Sequence, residues 1–225
     1  RGMTKKTLVV DVGGTHVKVL ATGRRAHREF ASGAEMTPRA MVRGVLALTR
    51  DWDWECVAMG YPGTVAHGKP QREPFNLGRG WVGFNFARAF KAPVKIVNDA
   101  AMQALGSYRG GRMLFLGLGT GLGSAMIVEG VLQPMELAHL AWRKGKTYED
   151  YLGLRGLKRL GRRRWRREVE RATQALCAGL CAEYVVLGGG NAHKLARLPA
   201  GAILGDNNNA FRGGFRLWAG REHGL

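Results

Sequence analysis

Three short glycine-rich segments each follow an apolar run and carry residue types suited to holding an anion. They are Asp11-Val12-Gly13-Gly14-Thr15, Gly117-Leu118-Gly119-Thr120-Gly121-Leu122-Gly123 and Gly188-Gly189-Gly190. Glycine lets backbone N–H groups converge on a phosphate with no Cβ in the way, and threonine adds a hydroxyl donor. Asp11, at the end of the first apolar run, suits a magnesium ion held through water. Taken singly, each segment also reads as a plain tight turn. Two familiar phosphate motifs do not fit. No segment reads G-x-x-x-x-G-K-[ST]. Counted from Gly117 or Gly119, the last position of G-x-G-x-x-G falls on Leu122 or Ser124.

Two further groupings can do chemistry. In Val97-Asn98-Asp99-Ala100 the aspartate stands at a strand end before a helical stretch. It reads either as a helix cap or as a general base for an attacking hydroxyl, with Asn98 orienting the acceptor. In Glu136-Leu137-Ala138-His139 the carboxylate and imidazole are three apart, so on a helix they share a face. Such a pair suits vicinal hydroxyls, which both donate and accept. It is also common surface decoration.

The elements that must position these residues follow from periodicity. Thr7–Val12, His16–Ala21, Glu55–Gly60, Val94–Val97, Met113–Leu118, Ser124–Glu129 and Tyr184–Leu187 read as strands. Pro38–Arg50, Asp99–Tyr108, Glu136–Trp142, Tyr148–Leu160, Arg162–Cys181, Asn191–Leu198 and Ala210–Trp218 read as helices. A strand–turn–strand unit followed by helices occurs twice, which predicts a mixed α/β chain in two related lobes. The expected division places 1–108 in an N-terminal lobe and 109–206 in a C-terminal lobe. A last helix, about 207–225, is expected to return to the first.

The chain's 225 residues and 45% apolar content suffice for a sizeable core. Its 34 glycines follow no fixed period, which excludes collagen. Three cysteines, Cys56, Cys177 and Cys181, cannot build a disulfide framework. Cys177 and Cys181, spaced i,i+4 in a helical run, read as small core residues. A reduced, cytoplasmic setting is expected, with no membrane span and no export signal. Arg1-Gly2 ahead of Met3 reads as an expression remnant.

In this order, D-x-G-G-T, N-D-A, G-x-G-T-G-x-G, E-x-x-H and G-G-G, the set resembles the ROK family of sugar kinases, within the actin/hexokinase-like ATPase superfamily. The resemblance runs from Leu8 to about Trp218. Pro74–Trp81, Pro134–Leu140 and Tyr184–Lys194 are most similar to its polyphosphate/ATP glucokinase branch. It implies a two-lobed, ribonuclease H-like α/β fold with a cleft between the lobes, and transfer of a phosphoryl group from ATP or polyphosphate to the 6-hydroxyl of glucose or a related hexose. It implies Asp99 as the catalytic base. It places Asp11, Gly13, Gly14, Thr15 and Lys18 at the first phosphate loop, Gly119, Thr120 and Gly121 at the second, and Gly188, Gly189 and Gly190 on the nucleotide side. Asn76, Asn98, Asp99, Glu136 and His139 would bind the sugar. Magnesium is the implied cofactor, held by Asp11 through water, and a homodimer the implied assembly.

The chain departs from the family pattern in three places. No cysteine lies between Cys56 and Cys177, so no structural zinc is expected. Ala138 stands where E-[IL]-G-H has glycine. The family's further sugar-binding glutamate has only Glu149 and Asp150 as candidates, neither in a motif.

The formal net charge is +18, and RGLKRLGRRRWRR (Arg155–Arg167) holds eight Lys or Arg. The run reads either as a solvated helix face or as a track for a polyanion such as polyphosphate or a nucleic-acid backbone. Beside the kinase stands an alternative from another class: a non-catalytic sugar sensor or polyanion-binding protein on the same fold.

Overall fold

The computed structural model describes residues 5–206 and 208–219. The chain divides into two compact units. One runs to Met102 and is joined by residues from Ala210 onward; the other is Gln103–Asn209. The expected Arg1-Gly2 remnant and the outer parts of the expected last helix, 207 and 220–225, lie outside the described residues.

In the first unit β1 (Thr7–Val12) and β2 (His16–Ala21) form an antiparallel hairpin, and β3 (Arg28–Ala31) extends it. The helix α1 (Pro38–Leu48) follows, capped by the Thr37 side chain and opened by Pro38, with Met41 and Val45 buried. Then β4 (Cys56–Tyr61) lies parallel to β1. After a two-stranded ribbon, β5 (Val65–Ala66) and β6 (Lys69–Pro70), and the short α2 (Phe86–Phe90), β7 (Val94–Asn98) lies parallel to β4. The sheet order is β3-β2-β1-β4-β7. Fully buried Leu8, Val10, Met59, Tyr61 and Trp81 anchor the core beneath it. At β7's end begins α3 (Asp99–Ser107), within which the division between units falls.

The second unit repeats the pattern. β8 (Arg112–Leu118), β9 (Leu122–Val128) and β10 (Val131–Pro134) form an antiparallel meander. The 3₁₀ turn Leu137–His139, the ribbon of β11 (Ala141–Arg143) and β12 (Lys146–Thr147), α4 (Tyr148–Leu152) and α5 (Leu154–Leu180) follow. β13 (Tyr184–Gly188) pairs parallel with β8, and β14 (Ala202–Leu204) with β13, giving the order β10-β9-β8-β13-β14. The core there is built on Leu114, Leu116, Leu152, Trp165, Val169 and Leu187. Finally α6 (Asn209–Arg216) begins. Phe211 stacks on His27, and the Trp218 indole N–H donates to the Val57 carbonyl at 3.0 Å, so the chain end packs on the first unit's sheet.

Several local expectations need correction. Glu136–Trp142 is not a helix: it holds one 3₁₀ turn and then a strand, because only Leu137 and Ala138 in it are buried. Asn191–Leu198 likewise shortens to the turn Ala192–Lys194. Tyr148–Leu160 is not continuous. α4 ends at Gly153, and α5 starts at once and kinks at Gly161, whose φ of 71° only glycine adopts readily. Cys181 is no core residue. It caps α5 in the left-handed region with its side chain exposed, while Cys177 is half-buried. No described helix is long and apolar enough to cross a membrane.

Candidate active site

The first glycine turn is the hairpin loop between β1 and β2. The Gly13 N–H donates to the His16 carbonyl at 2.9 Å, and the Ser32 hydroxyl donates to the Gly13 carbonyl at 2.6 Å. Asp11 stands one strand residue before this loop, opposite Lys18 on β2 and Gly60 on β4. Desolvation pushes its carboxyl up to about 6, and the Lys18 ammonium acts against the rise. Gly60 is packed close beside it: a Cβ there would come within 2.5 Å of Met102 Cε and 3.4 Å of Asp11 Oδ1, so the buried Met102 side chain fills that flank of the carboxylate. A half-buried carboxylate one residue before the glycine turn is the kind of oxygen donor that a hydrated magnesium ion takes. Among the described residues no group of three or more His, Cys, Asp or Glu forms a cage of its own.

Asn76 reaches this loop from the segment between β6 and α2. The absence of a side chain at Gly14 lets Asn76 Cβ approach to 3.2 Å of where a Cβ would stand. The segment is pinned by Glu73, whose carboxylate accepts from the Trp81 and Val82 N–H groups at 3.1 and 3.2 Å. Beside it the Tyr61 hydroxyl donates to the Arg72 carbonyl at 2.8 Å. Phe75, next to Asn76, is 98% exposed.

Asn98 and Asp99 sit where β7 passes into α3. Asn98 Oδ1 accepts from the Ala100 and Ala101 N–H groups at 2.9 and 3.3 Å, and its Nδ2 donates to the Gly63 carbonyl at 3.0 Å. The cap is therefore Asn98, not Asp99. Asp99 Oδ1 also accepts from the Ala100 N–H, at 2.8 Å.

The second glycine turn joins β8 to β9, at the same place in its sheet as the first. The Gly119 N–H donates to the Gly121 carbonyl at 3.1 Å. The N–H groups of Gly14, Thr15, Thr120 and Gly121 donate to no protein acceptor among the described residues. The third turn, Gly188–Gly190, lies against the second. Gly189 has φ of 80°, and a Cβ there would come within 2.7 Å of the Leu118 backbone, so glycine is required by both conformation and space. Asn191 binds the two turns together: its N–H donates to the Leu118 carbonyl at 2.8 Å and its Nδ2 to the Gly119 carbonyl at 2.9 Å. Sequence reasoning missed Asn191; a buried amide straight after Gly188–Gly190 is the signal that points to it.

Glu136 and His139 are brought together by the 3₁₀ turn, in which residues three apart eclipse. His139 Nε2 lies 4.0 Å from Glu136 Oε1, and both side chains are exposed. Ala138, in place of the family's glycine, is buried and has no positive φ, so a methyl group is accommodated. Glu149 and Asp150 are otherwise engaged. Asp150 is the N3 residue of a capping box with Thr147, and Glu149 Oε2 accepts from the Leu122 N–H at 3.1 Å.

Comparison with known proteins agrees with this geometry. No family model matches the chain. A polyphosphate glucokinase of Mycobacterium leprae is 29% identical over 177 residues, 72% of this chain and 54% of that protein. The polyphosphate glucokinase of Mycobacterium tuberculosis H37Rv is 30% identical over 151 residues, 58% of this chain and 57% of that one. The matches thus span about half the length of these relatives. Among solved structures, the inorganic polyphosphate/ATP-glucomannokinase of Arthrobacter sp. strain KM superposes with a TM-score of 0.81 at 21% identity, covering 96% of this chain and 98% of that one. A ROK-family glucokinase from Streptomyces griseus, solved with glucose and AMPPNP, gives 0.75 at 18% identity, covering 95% and 99%. The chain has the fold of ROK-family sugar kinases, and its sequence is similar to that of polyphosphate glucokinases.

Proposed function

We propose that this chain, with the fold of the ROK sugar kinases, transfers a phosphoryl group from ATP or polyphosphate to the 6-hydroxyl of glucose or a related hexose. The observation that carries the reading is the doubled loop. Two glycine turns occupy the same position in two sheets of the same order, each with N–H groups that have no acceptor among the described residues, and Asp11 stands beside one of them. Phosphoryl transfer asks chiefly for positioning and charge neutralisation, and such loops supply both.

In this reading Asp99 accepts the proton of the attacking hydroxyl, and Asn98 holds Asp99 in place by capping α3. Asn76, Glu136 and His139 hydrogen-bond sugar hydroxyls. The first turn, with Thr15 and Lys18, and the second, with Thr120, hold donor phosphates, while Gly188–Gly190 and Asn191 support the second turn. Asp11 would hold magnesium through water, and the ion would supply neutralisation of donor charge. The protein acts in the cytoplasm as a homodimer.

The α5 surface favours polyphosphate as a donor. Lys158, Arg162, Arg163, Arg164 and Arg167 are exposed, and none has a carboxylate within 4.0 Å among the described residues. A row of uncompensated cations suits a long polyanion.

The test is sugar-phosphate formation from glucose with magnesium, comparing ATP with polyphosphate and using Asp99→Asn as the blank. Turnover that Asp99→Asn abolishes while glucose still binds supports the kinase. Tight, salt-sensitive nucleic-acid binding with no turnover on any hexose would instead install the non-catalytic reading.

A further inference from the structure

The junction of α4 and α5 is fastened to the second glycine turn more closely than its sequence suggests. The Leu154 N–H donates to the Thr120 carbonyl at 3.1 Å. At Gly153 a Cβ would stand 3.0 Å from both the Thr120 and the Glu149 carbonyl oxygens. Glu149 Oε2 accepts from the Leu122 N–H, and a Cβ on Gly121 would collide with that same oxygen. Main chain and carboxylate thus clasp residues 120–122 from one side.

Arg155 is the next residue along. Its Nη2 lies 3.4 Å from Glu149 Oε1 and 3.7 Å from Asp150 Oδ1, yet its side chain is 75% exposed. Ion pairs this exposed contribute little to stability, so folding alone gives no reason for the arrangement. Two carboxylates holding one guanidinium do restrict where it points, which lowers the entropy cost of using it. The planar fork keeps N–H donors in excess of the two contacts, and it matches phosphate geometry better than an ammonium does. Arg155 directly follows Leu154, whose N–H meets the Thr120 carbonyl, and shares Glu149 with the turn: one carboxylate oxygen holds the guanidinium and the other the Leu122 N–H.

We propose that Arg155 is a donor-binding residue, meeting a phosphate group held at the second glycine turn, and that Glu149 is the positioning residue that sets both the turn and the guanidinium. This deepens the kinase reading and rests on it.

The test measures binding of tripolyphosphate and of ATP to the full chain by calorimetry at physiological salt, alongside glucose binding and turnover. Arg155→Ala is expected to weaken donor binding at least ~10-fold and leave the glucose Kd within about twofold, since one charge-assisted contact carries roughly that factor. Arg155→Lys should recover part of the loss, and Glu149→Gln should raise donor KM with unchanged glucose Kd and unchanged melting temperature. The exposed Arg43→Ala on α1 removes one charge elsewhere and should change neither constant. Donor binding in Arg155→Ala within twofold of wild type overturns the proposal, as does an equal loss in Arg43→Ala or a wild type that binds neither donor. A wild type that binds donor through Arg155 and phosphorylates no hexose removes the kinase reading and leaves the assignment standing.

Discussion

The two units share a sheet order and a hairpin turn of the same length, and differ in where each keeps its negative charge. In the first, Asp11 stands on β1 between Lys18 and Gly60; at the matching place in the second, Gly117 stands on β8 between Gly123 and Gly188. A row of three glycines brings backbones close and carries no charge of its own. The second unit's carboxylate comes from α4 and lies on the far flank of the turn, as Glu149 at the Leu122 N–H. Repetition of a fold thus fixes where a turn sits, while single side chains decide whether a carboxylate stands on the strand before the turn or on its flank.

The contrast breaks first at Asp99, which closes the first unit's sheet edge. Asp99→Asn should lower kcat at least ~10²-fold with little change in melting temperature; wild-type turnover in steady-state assays would remove the base from this unit. Asp11 gives the next test. Its carboxyl rises from 3.8 to about 6 on folding, so the neutral form is favoured in the native state. Stability is fully present below pH 4 and is lost as pH rises through about 6. In the absence of divalent ions, Asp11→Asn should therefore be more stable than wild type at pH 7.5, by on the order of 2 kcal/mol, and no more stable at pH 3.5. Denaturant melts at the two pH values check this, and Gly117→Asp should show the opposite pH trend to Asp11→Asn.

Gly121→Ala pushes a methyl group into the Glu149 carboxylate. It should raise donor KM roughly 10-fold and leave glucose KM alone, as expected for lost positioning at one end of the reaction. Thr120→Val, which deletes one neutral hydroxyl, should weaken donor use by a few-fold, about 1 kcal/mol. A larger effect on sugar affinity than on donor KM in either variant would erase the division between the units.

The amino-acid sequence alone carried β1, β2, β4, β7, β8, β9 and β13, the three glycine turns and their order, because apolar runs and glycine clusters are local signals. The short edge strands β3, β10 and β14 went unread because pairing with a neighbour, not an apolar run, defines them. Asp11, Asp99 and the Glu136/His139 pair stand out as candidates because each sits beside such a local signal. The short helices expected at 136–142 and 191–198 were misread because polar spacing imitates a helix where too few residues are buried to support one. Only the tertiary structure decided which backbone groups particular residues reach. Asn191, Glu149 and Leu154 meet backbone groups 72, 27 and 34 residues away: Gly119, Leu122 and Thr120. Asn98 became the cap through the same process, since its reach to the Ala100 and Ala101 N–H groups depends on how β7 enters α3. Contacts of that kind are set by how sheets and helices pack, and no residue pattern along the chain encodes them singly.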